Sequence, residues 1–249
     1  MKALILAGGR GSRLGSETAT RNKSMCRYDG HPIIEYSLRN AVEAGCEEIV
    51  LLVGYRAETI INEIGIRYGE IPIRYVLQWE RRGVVDAIEC CRETLAGSDF
   101  LLLMADEVLK GPRHQRMAAQ FESRPEVFAL CGTVLTDDIS LVSKTYGVMI
   151  EEATRRVHRL IEKPRRPMNN IRGTGNCLFR NEIFEYIART PINQERGEKE
   201  LPDLIQCAVD DGKIVQIYDL ADWYSNVNTL EELYGPFSEL AGREAELAR

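Results

Sequence analysis

The sequence lacks the features that mark several classes of protein. Lysine and arginine total 32 against 38 acidic residues, and the formal net charge of the 249-residue chain is −6. No excess of positive charge is present to attract a nucleic-acid backbone, so an anionic ligand must be met by local cations. The apolar runs Ile49–Val53 and Phe100–Ala105 are far shorter than the roughly 20 residues of a membrane-spanning helix. We therefore expect neither a nucleic-acid partner nor a membrane span.

The cysteines lack the spacing that is typical of zinc sites and of disulfide-rich domains. The cysteines number 7, an odd count, and no two of them form a CxxC pair, so neither a zinc site nor a disulfide framework is implied. Adjacent Cys90 and Cys91 lie in a helical pattern, and we expect both to be small buried residues in a reducing compartment. The apolar run Ala3–Ala7 meets two glycines at once and is too short for a signal peptide. These features predict a soluble protein of the cytoplasm.

Apolar strands and amphipathic helices alternate through the first half of the chain. The strand patterns are Met1–Leu6, Ile49–Val53, Ile73–Leu77 and Phe100–Met104, and the helical patterns are Pro32–Gly45, Ala57–Ile64 and Val84–Leu95. Because the strands are apolar on both faces, helices are expected to cover both sides of the sheet. The alternation predicts a doubly wound, mostly parallel sheet.

The second half has a different pattern. Strand candidates follow one another without helices between them, and helices come later: the strands are Val127–Val134, Gly147–Glu151, Val157–Ile161 and Lys213–Tyr218, and the helices are Asn181–Arg189, Leu201–Asp210 and Thr229–Leu247. No repeat and no Pro- or Ser-rich linker separates the halves. We therefore predict a single domain over residues 1–249.

A glycine-rich loop with an arginine follows the first strand. Glycines let the backbone approach a phosphate closely, and an arginine presents a forked cation to phosphate oxygens. The dinucleotide interpretation is a near miss, because Gly9, Gly11 and Gly15 form GxGxxxG and no acidic residue ends the second strand. The P-loop interpretation lacks the closing Gly-Lys-Ser/Thr. A simple tight turn remains open, but it would leave the arginines of the loop and the lysine after it unexplained.

Short motifs follow one another along nearly the whole chain. In order they are Leu6–Leu14 (LAGGRGSRL), Asn22–Met25 (NKSM), Gly30–Tyr36 (GHPIIEY), Gln78–Ile88 (QWERRGVVDAI), Leu101–Asp106 (LLLMAD), Tyr146–Val148 (YGV), Glu162–Pro164 (EKP), Gly173–Phe179 (GTGNCLF) and Trp223–Leu233 (WYSNVNTLEEL). Any one of them alone would be weak. In this order they resemble the signature of the sugar-1-phosphate nucleotidylyltransferases.

The resemblance implies the fold of the nucleotide-diphospho-sugar transferases. This is a three-layer α/β/α sandwich around a Rossmann-like, mostly parallel mixed sheet. Residues 1–110 would form the nucleotide-binding half, residues 111–235 the acceptor-binding half and residues 236–249 a C-terminal helix. The roughly 15 residues after the last motif are too few for the β-helical or acyltransferase extension of some relatives, so we expect one activity only.

The implied reaction joins an NTP to a sugar 1-phosphate and gives an NDP-sugar and pyrophosphate. The attacking phosphate is already an anion, so the enzyme must cancel the repulsion between two polyanions and align them, and needs no side-chain nucleophile. A pyrimidine NTP is favoured. The alternatives are a cytidylyltransferase for a non-sugar phosphate or phosphonate, an inactive nucleotide-sensing subunit of the same fold, and a dehydrogenase. The sequence leaves a monomer and a homo-oligomer equally open.

The resemblance assigns catalytic and metal-binding roles. Arg13 would grip the β- and γ-phosphates, Lys23 would approach the α-phosphate, and Lys163 would neutralise the attacking phosphate. Asp106 closes an apolar strand, where an unpaired carboxylate is costly, and it would bind Mg²⁺ through oxygen. The second ligand would be Asn226, where many relatives have aspartate.

Asn228, two positions further on, is the alternative second ligand, and the choice between the two asparagines stays open; Glu107 is a weaker candidate. The resemblance also assigns the binding of both substrates. The nucleotide-binding residues would be Leu6, Ala7, Gly8, Gly9, Gly11, Ser12, Gln78 and Gly83. The acceptor-binding residues would be Gly147, Glu162, Lys163 and Asn176.

The sequence departs from the family pattern at several positions. Asn22 replaces the usual proline before Lys23, which we expect to loosen that turn. Ser12 replaces threonine, a minor change. Ala105 replaces the glycine before the metal-binding aspartate, so the backbone there must be open to alanine. Arg165 and Arg166 follow the Glu-Lys-Pro motif, and either a solvated loop or an additional grip on the acceptor would explain them.

Overall fold

The fold was analysed in a computed structural model that describes residues 1–234; residues 235–249, and with them the predicted helix over 236–249, lie outside that range. The strands are β1 (Lys2–Ala7), β2 (Arg27–Tyr28), β3 (His31–Pro32), β4 (Glu48–Val53), β5 (Arg67–Tyr68), β6 (Ile71–Leu77), β7 (Phe100–Met104), β8 (Glu107–Lys110), β9 (Val127–Leu135), β10 (Tyr146–Glu151), β11 (Arg156–Glu162), β12 (Ile171–Phe179), β13 (Ile214–Asp219) and β14 (Trp223–Asn226). The α-helices are α1 (Ile33–Glu43), α2 (Ala57–Ile64), α3 (Val84–Cys90), α4 (Arg92–Leu95), α5 (His114–Glu122) and α6 (Leu201–Asp210). Short 3₁₀ helices cover Ser12–Thr18, Lys23–Met25, Ile139–Lys144 and Asn181–Arg189.

One mixed sheet runs through both halves of the chain, in the order β10-β11-β13-β9-β12-β7-β1-β4-β6-β5. The strands β7, β1, β4 and β6 are mutually parallel, as the alternating pattern predicts. In the second half β9 pairs in parallel with β13, whereas the other pairings are antiparallel. Because β12 runs antiparallel between β7 and β9, it joins the two halves into a single sheet.

Helices cover both faces of this sheet. Alternate residues of β1 enter two different cores: Leu4 packs with residues of α3 and α6, and Ile5 packs with residues of α1 and α5. Both side chains are fully buried, as expected of a parallel strand between two helical layers. The predicted three-layer α/β/α sandwich is therefore confirmed. None of the described helices is long and apolar enough to cross a membrane.

The predicted helix Val84–Leu95 is broken in the structure. Cys91 leaves helical geometry, with φ −98° and ψ 1°, and separates α3 from α4. Cys91 is fully buried, but Cys90 is exposed, so the expectation that both are buried is wrong for Cys90.

Strand β12 is not predicted from the sequence, because glycines and polar residues interrupt its apolar pattern. A methyl group on Gly173 would meet the ring of Tyr146 at 2.1 Å, so the strand carries glycine where the packing of that ring requires it.

Candidate active site

A cavity of about 260 Å³ lies at the carboxyl ends of β1, β4, β6 and β7. Apolar side chains form one part of its wall and polar groups another: Leu6, Leu52, Val84, Ala87 and Met104 are apolar, and Asn22, Lys23, Gln78, Arg81, Asp106 and Glu198 are polar. An apolar slot with a few polar groups at its edge is the usual form of a small-molecule site. Its place at the strand ends is where open α/β sheets bind ligands.

Most of the predicted nucleotide-binding residues line this cavity. They are Leu6, Ala7, Gly8, Gly9, Gln78 and Gly83, whereas Gly11 and Ser12 do not line it. Gly11 has a φ of +66°, and a methyl group on it would meet the side chain of Lys23 at 2.6 Å. Glycine at position 11 therefore leaves room for the side chain of Lys23, and its contact with the nucleotide stays a prediction.

Asn22 fastens the glycine-rich loop, contrary to the expectation of a loosened turn. Its side-chain NH₂ lies 3.0 Å from the carbonyl oxygen of Ala7, 3.2 Å from that of Gly9 and 2.7 Å from that of Tyr55. Its side-chain oxygen accepts hydrogen bonds from the backbone N–H and the hydroxyl of Ser24, both at 2.9 Å. The prediction is wrong because the asparagine side chain, which is almost fully buried, replaces the rigidity of proline with hydrogen bonds.

The predicted catalytic cations Arg13 and Lys23 meet at the C-terminal motif. Lys23 Nζ lies 2.6 Å from Asp106 Oδ2 and 2.9 Å from Asn228 Oδ1. Arg13 Nη2 donates to the same Asn228 oxygen at 3.0 Å, and Asn228 Nδ2 donates to Asn226 Oδ1 at 2.6 Å. The chain thus brings Arg13, Lys23, Asp106 and both asparagines into one hydrogen-bonded cluster.

The surroundings of Asp106 fit a divalent cation. Its Oδ1 is buried and has no hydrogen-bond partner among residues 1–234, a costly state for a carboxylate oxygen. The backbone N–H of Val227 donates to the Asp106 carbonyl at 2.8 Å, which holds the aspartate against the Asn226 strand. No group of three or more His, Cys, Asp or Glu side chains within the described range is placed to bind a metal, so amide oxygens would have to complete such a site. Ala105 does not have a positive φ, in agreement with the expectation for that position.

Glu107, the weaker metal-ligand candidate, and Asn176, predicted to bind the acceptor, belong to one buried hydrogen-bond network. Glu107 accepts hydrogen bonds from Tyr224 Oη at 2.7 Å, from the N–H of Gly175 at 2.9 Å and from Asn176 Nδ2 at 2.6 Å. Burial raises its pKa to about 7. Asn176 Oδ1 lies 2.8 Å from His114 Nε2, so both ends of the amide are engaged inside the protein. Its side chain therefore holds Glu107 in place, and its contact with the acceptor stays a prediction.

A second cavity, of about 160 Å³, adjoins the first, because Val84 and Met104 line both. Glu162 and Lys163 line it as predicted for the acceptor, and Lys163 Nζ lies 3.1 Å from Glu162 Oε1. The backbone of Lys163 has a φ of +41°, and its N–H donates to the carbonyl of Thr145.

Gly147, also predicted to contact the acceptor, does not line this cavity. A methyl group on it would meet Pro164 and Val142, each at 3.3 Å. Gly147 therefore leaves room for the packing of Pro164 and Val142, and its predicted role beside the acceptor stays a prediction.

Arg196 is a residue of this cavity that the motif analysis missed. Its guanidinium lies 3.2 Å from Glu162 Oε1, 2.8 Å from Glu198 Oε1 and 2.9 Å from Glu200 Oε1. Burial, followed by the charge of Glu162, raises the pKa of Glu200 to about 7. The only sequence signal was an arginine among glutamates in a loop, which is also typical of a solvated surface.

Arg165 and Arg166 lie outside both cavities and are exposed. Arg165 pairs with Glu195 at 3.1 Å, and both side chains are at least 80% exposed. Of the two interpretations of this pair of arginines, the solvated loop fits the structure.

Sequence and structure comparisons place this geometry among known proteins. Residues 2–240 match the nucleotidyl transferase family. The chain is 28% identical to a UTP–glucose-1-phosphate uridylyltransferase of Haloferax volcanii over 93% of both chains. It is 27% identical to a glucose-1-phosphate thymidylyltransferase of Streptomyces griseus over 94% of this chain and 64% of that enzyme, so it spans less than two thirds of the latter.

Solved structures share the fold. A putative glucose-1-phosphate thymidylyltransferase of Bacillus anthracis, in complex with a sucrose, superposes with a TM-score of 0.84 at 21% identity, over 96% of this chain and 94% of that one. A UDP-glucose pyrophosphorylase complexed with UDP-glucose gives 0.84 at 19% identity, over 97% and 98%. The family match over almost the entire length and the common fold agree with the motifs, and the chain therefore belongs to the nucleotidyl transferase family.

Proposed function

We propose that the protein joins an NTP to a sugar 1-phosphate and releases pyrophosphate. The observation that carries the proposal is the pair of adjoining cavities, one lined by Lys23 and Asp106 and the other by Lys163. A nucleotide in the first would present its α-phosphorus near the shared wall, where an acceptor in the second could reach it. Such alignment is the larger part of what phosphoryl transfer requires of a protein.

In the proposed reaction an oxygen of the sugar phosphate attacks the α-phosphorus, and the bond from that phosphorus to the bridging oxygen of the leaving pyrophosphate breaks. Lys163 would neutralise the attacking phosphate, and Lys23 and Arg13 would stabilise the charge on the nucleotide phosphates. The Glu162 carboxylate would accept hydrogen bonds from acceptor hydroxyls. Gln78 would bind an edge of the base, and the apolar wall would pack against its plane.

The reaction is proposed to depend on Mg²⁺, with the free Oδ1 of Asp106 and the Asn226 side chain as its protein ligands. A bound magnesium ion would supply positive charge to the phosphate oxygens during transfer. The amide ligand is neutral, so this site would carry less negative charge than one with two aspartates. Relatives named as uridylyl- and thymidylyltransferases support a pyrimidine NTP and a hexose 1-phosphate as the substrates to test first.

The test is a panel of UTP, dTTP, CTP, ATP and GTP against several sugar 1-phosphates and small phosphonates, with pyrophosphate release as the readout. We expect release with a pyrimidine NTP and a sugar 1-phosphate, its loss in Lys163→Ala, and its retention in the exposed control Arg165→Ala. Turnover with phosphonates or non-sugar phosphates alone would instead identify the alternative cytidylyltransferase. NTP binding without pyrophosphate release at high enzyme and Mg²⁺ would identify a nucleotide-sensing protein.

A further inference from the structure

Three guanidinium groups surround the ring of Tyr55 near the nucleotide cavity. Those of Arg10, Arg56 and Arg81 lie 5.4, 5.8 and 5.9 Å from its centroid. Arg10 belongs to the glycine-rich loop, and Arg81 lines the cavity itself. Two loops that border the first cavity thus each place an arginine against the same aromatic ring.

The ring is a fixed platform. Tyr55 Oη donates to the carbonyl of Thr18 at 3.1 Å, and its backbone N–H donates to the carbonyl of Gly8 at 3.2 Å. Its own carbonyl oxygen accepts the 2.7 Å hydrogen bond from Asn22. A cation–π contact with a fixed ring restrains a guanidinium while its N–H groups stay free to bind an anion in a fork.

Arg10 and Arg81 differ from Arg56 and Arg82 in having no carboxylate partner, and from Arg13, which donates to Asn228, in having no hydrogen bond. Arg56 lies 3.6 Å from Glu58 and donates to the carbonyl of Ala19 at 3.1 Å, and Arg82 is paired with Glu80. Among residues 1–234, Arg10 and Arg81 form no ion pair and no hydrogen bond. Acidic residues outnumber basic ones in this chain, 38 against 32, so two neighbouring arginines without a carboxylate partner are unusual here and are available to bind an anionic ligand.

We propose that Arg10 and Arg81, oriented by Tyr55, form an additional binding site for the polyphosphate chain of the nucleotide. The inference rests on the proposed function, because it takes the first cavity as the nucleotide site. The cavity wall supplies Lys23 as a cation, but Asp106 already neutralises it. Arg81 is the cation of the described cavity wall without a carboxylate, and Arg10 reaches the same ring from the loop that would surround the phosphates.

The test uses a ligand that has phosphates but no base. Sodium tripolyphosphate is titrated calorimetrically, in EDTA, into the wild type, into Arg10→Ala/Arg81→Ala and into the matched control Arg82→Ala, whose arginine is a near neighbour with a carboxylate partner. Because a charge-assisted hydrogen bond contributes about tenfold in affinity, we expect the double variant to bind at least about tenfold more weakly and the control to stay within about twofold. The weakening should shrink at high salt. Both arginines are exposed and their contacts are limited to the Tyr55 ring, so the melting temperature of the double variant should stay within about 4 °C of that of the wild type.

Equal affinity of the double variant and the wild type would overturn the inference, as would an equal loss in Arg82→Ala or no binding of tripolyphosphate to the wild type. Each of these results leaves the proposed function standing if pyrophosphate release is observed in the substrate panel. Conversely, weakened tripolyphosphate binding in the double variant without pyrophosphate release by the wild type would retain the anion site and reject the reaction.

Discussion

Asn22 offers the sharpest test of how this chain builds its phosphate loop. The amide supplies two N–H groups to three carbonyl oxygens and accepts two hydrogen bonds from Ser24, so about four hydrogen bonds depend on it. A net contribution of about 1 kcal/mol for each gives a loss of about 3–4 kcal/mol for Asn22→Ala, measured by urea denaturation. Exposed Asn62 of α2 provides the control Asn62→Ala, for which we expect only the small change typical of a surface position.

Asn22→Asp adds a pH dependence whose sign follows from the same contacts. One carboxylate oxygen can still accept from Ser24, but the other would face three carbonyl oxygens at 2.7–3.2 Å, so the aspartate favours its protonated form in the folded state. Its folded-state pKa is therefore raised, and its stabilising contribution is present below the unfolded value of about 3.9 and lost as the pH rises. We expect the variant to approach wild-type stability near pH 4 and to lose about 1.4 kcal/mol for each pH unit above it, until the raised pKa is passed. Asn62→Asp should show no such slope, and equal slopes for both variants would refute the reasoning.

Three further predictions concern the two cavities. In steady-state assays Lys163→Ala should chiefly raise KM for the acceptor, and Arg13→Ala should chiefly raise KM for the NTP. Each variant should lose about 10²-fold or more in kcat/KM. Near-normal turnover in both would show that the roles of these residues are misassigned. Asp106→Asn removes the carboxylate that pairs with Lys23, so the affinity for tripolyphosphate, measured by calorimetry in EDTA, should rise while turnover falls about 10²-fold. Weaker tripolyphosphate binding would contradict the idea that Asp106 neutralises Lys23. Burial raises the pKa of Glu200 to about 7, so its stabilising contribution is present below about pH 4.5 and lost as the pH rises through 7. Glu200→Gln should therefore reduce the pH dependence of the free energy of unfolding by about 1 kcal/mol. An unchanged pH dependence in this variant would refute the prediction.

The sequence predicted best where a pattern repeats with a physical period. The strands of the parallel half have uninterrupted apolar runs because both faces are buried, and their bounds agree with the prediction to within two residues. The family resemblance assigns Lys23 and Asp106, 83 positions apart, to one site, and their side chains lie 2.6 Å apart. Asp106 directly follows a parallel strand, so the sheet topology brings it to the edge where such sheets bind ligands. A residue at the end of a strand can be placed from sequence in this way, because topology fixes its position.

Tertiary contacts that leave no periodic trace were not predictable. Asn176 lies in a matching motif, yet its side chain is directed into the core, because β12 alternates faces and the residue falls on the side of His114. Arg196 lies in a loop between elements, where spacing carries no information about its partners. Asn22 was misjudged because only its backbone was compared with proline: its φ of −66° is one that proline also adopts, while its stabilising contacts come from the side chain.

The cations near the two cavities differ in their partners: Arg13 donates to the amide oxygen of Asn228, and the others fall into two groups. Lys23, Lys163 and Arg196 lie within 3.2 Å of carboxylate oxygens, which hold them in place in a chain of net negative charge. A bound phosphate must compete with those carboxylates for the cations. The net gain in affinity is therefore the difference between the attraction of each cation to the phosphate and its attraction to the carboxylate, so these cations serve mainly to position the substrate. Arg10 and Arg81 have no such competitor among the described residues, so their full attraction is available to the first anion that arrives. The initial capture of a nucleotide should therefore depend more on these exposed arginines, and the chemical step more on the paired lysines, because carboxylates already hold Lys23 in the first cavity and Lys163 in the second.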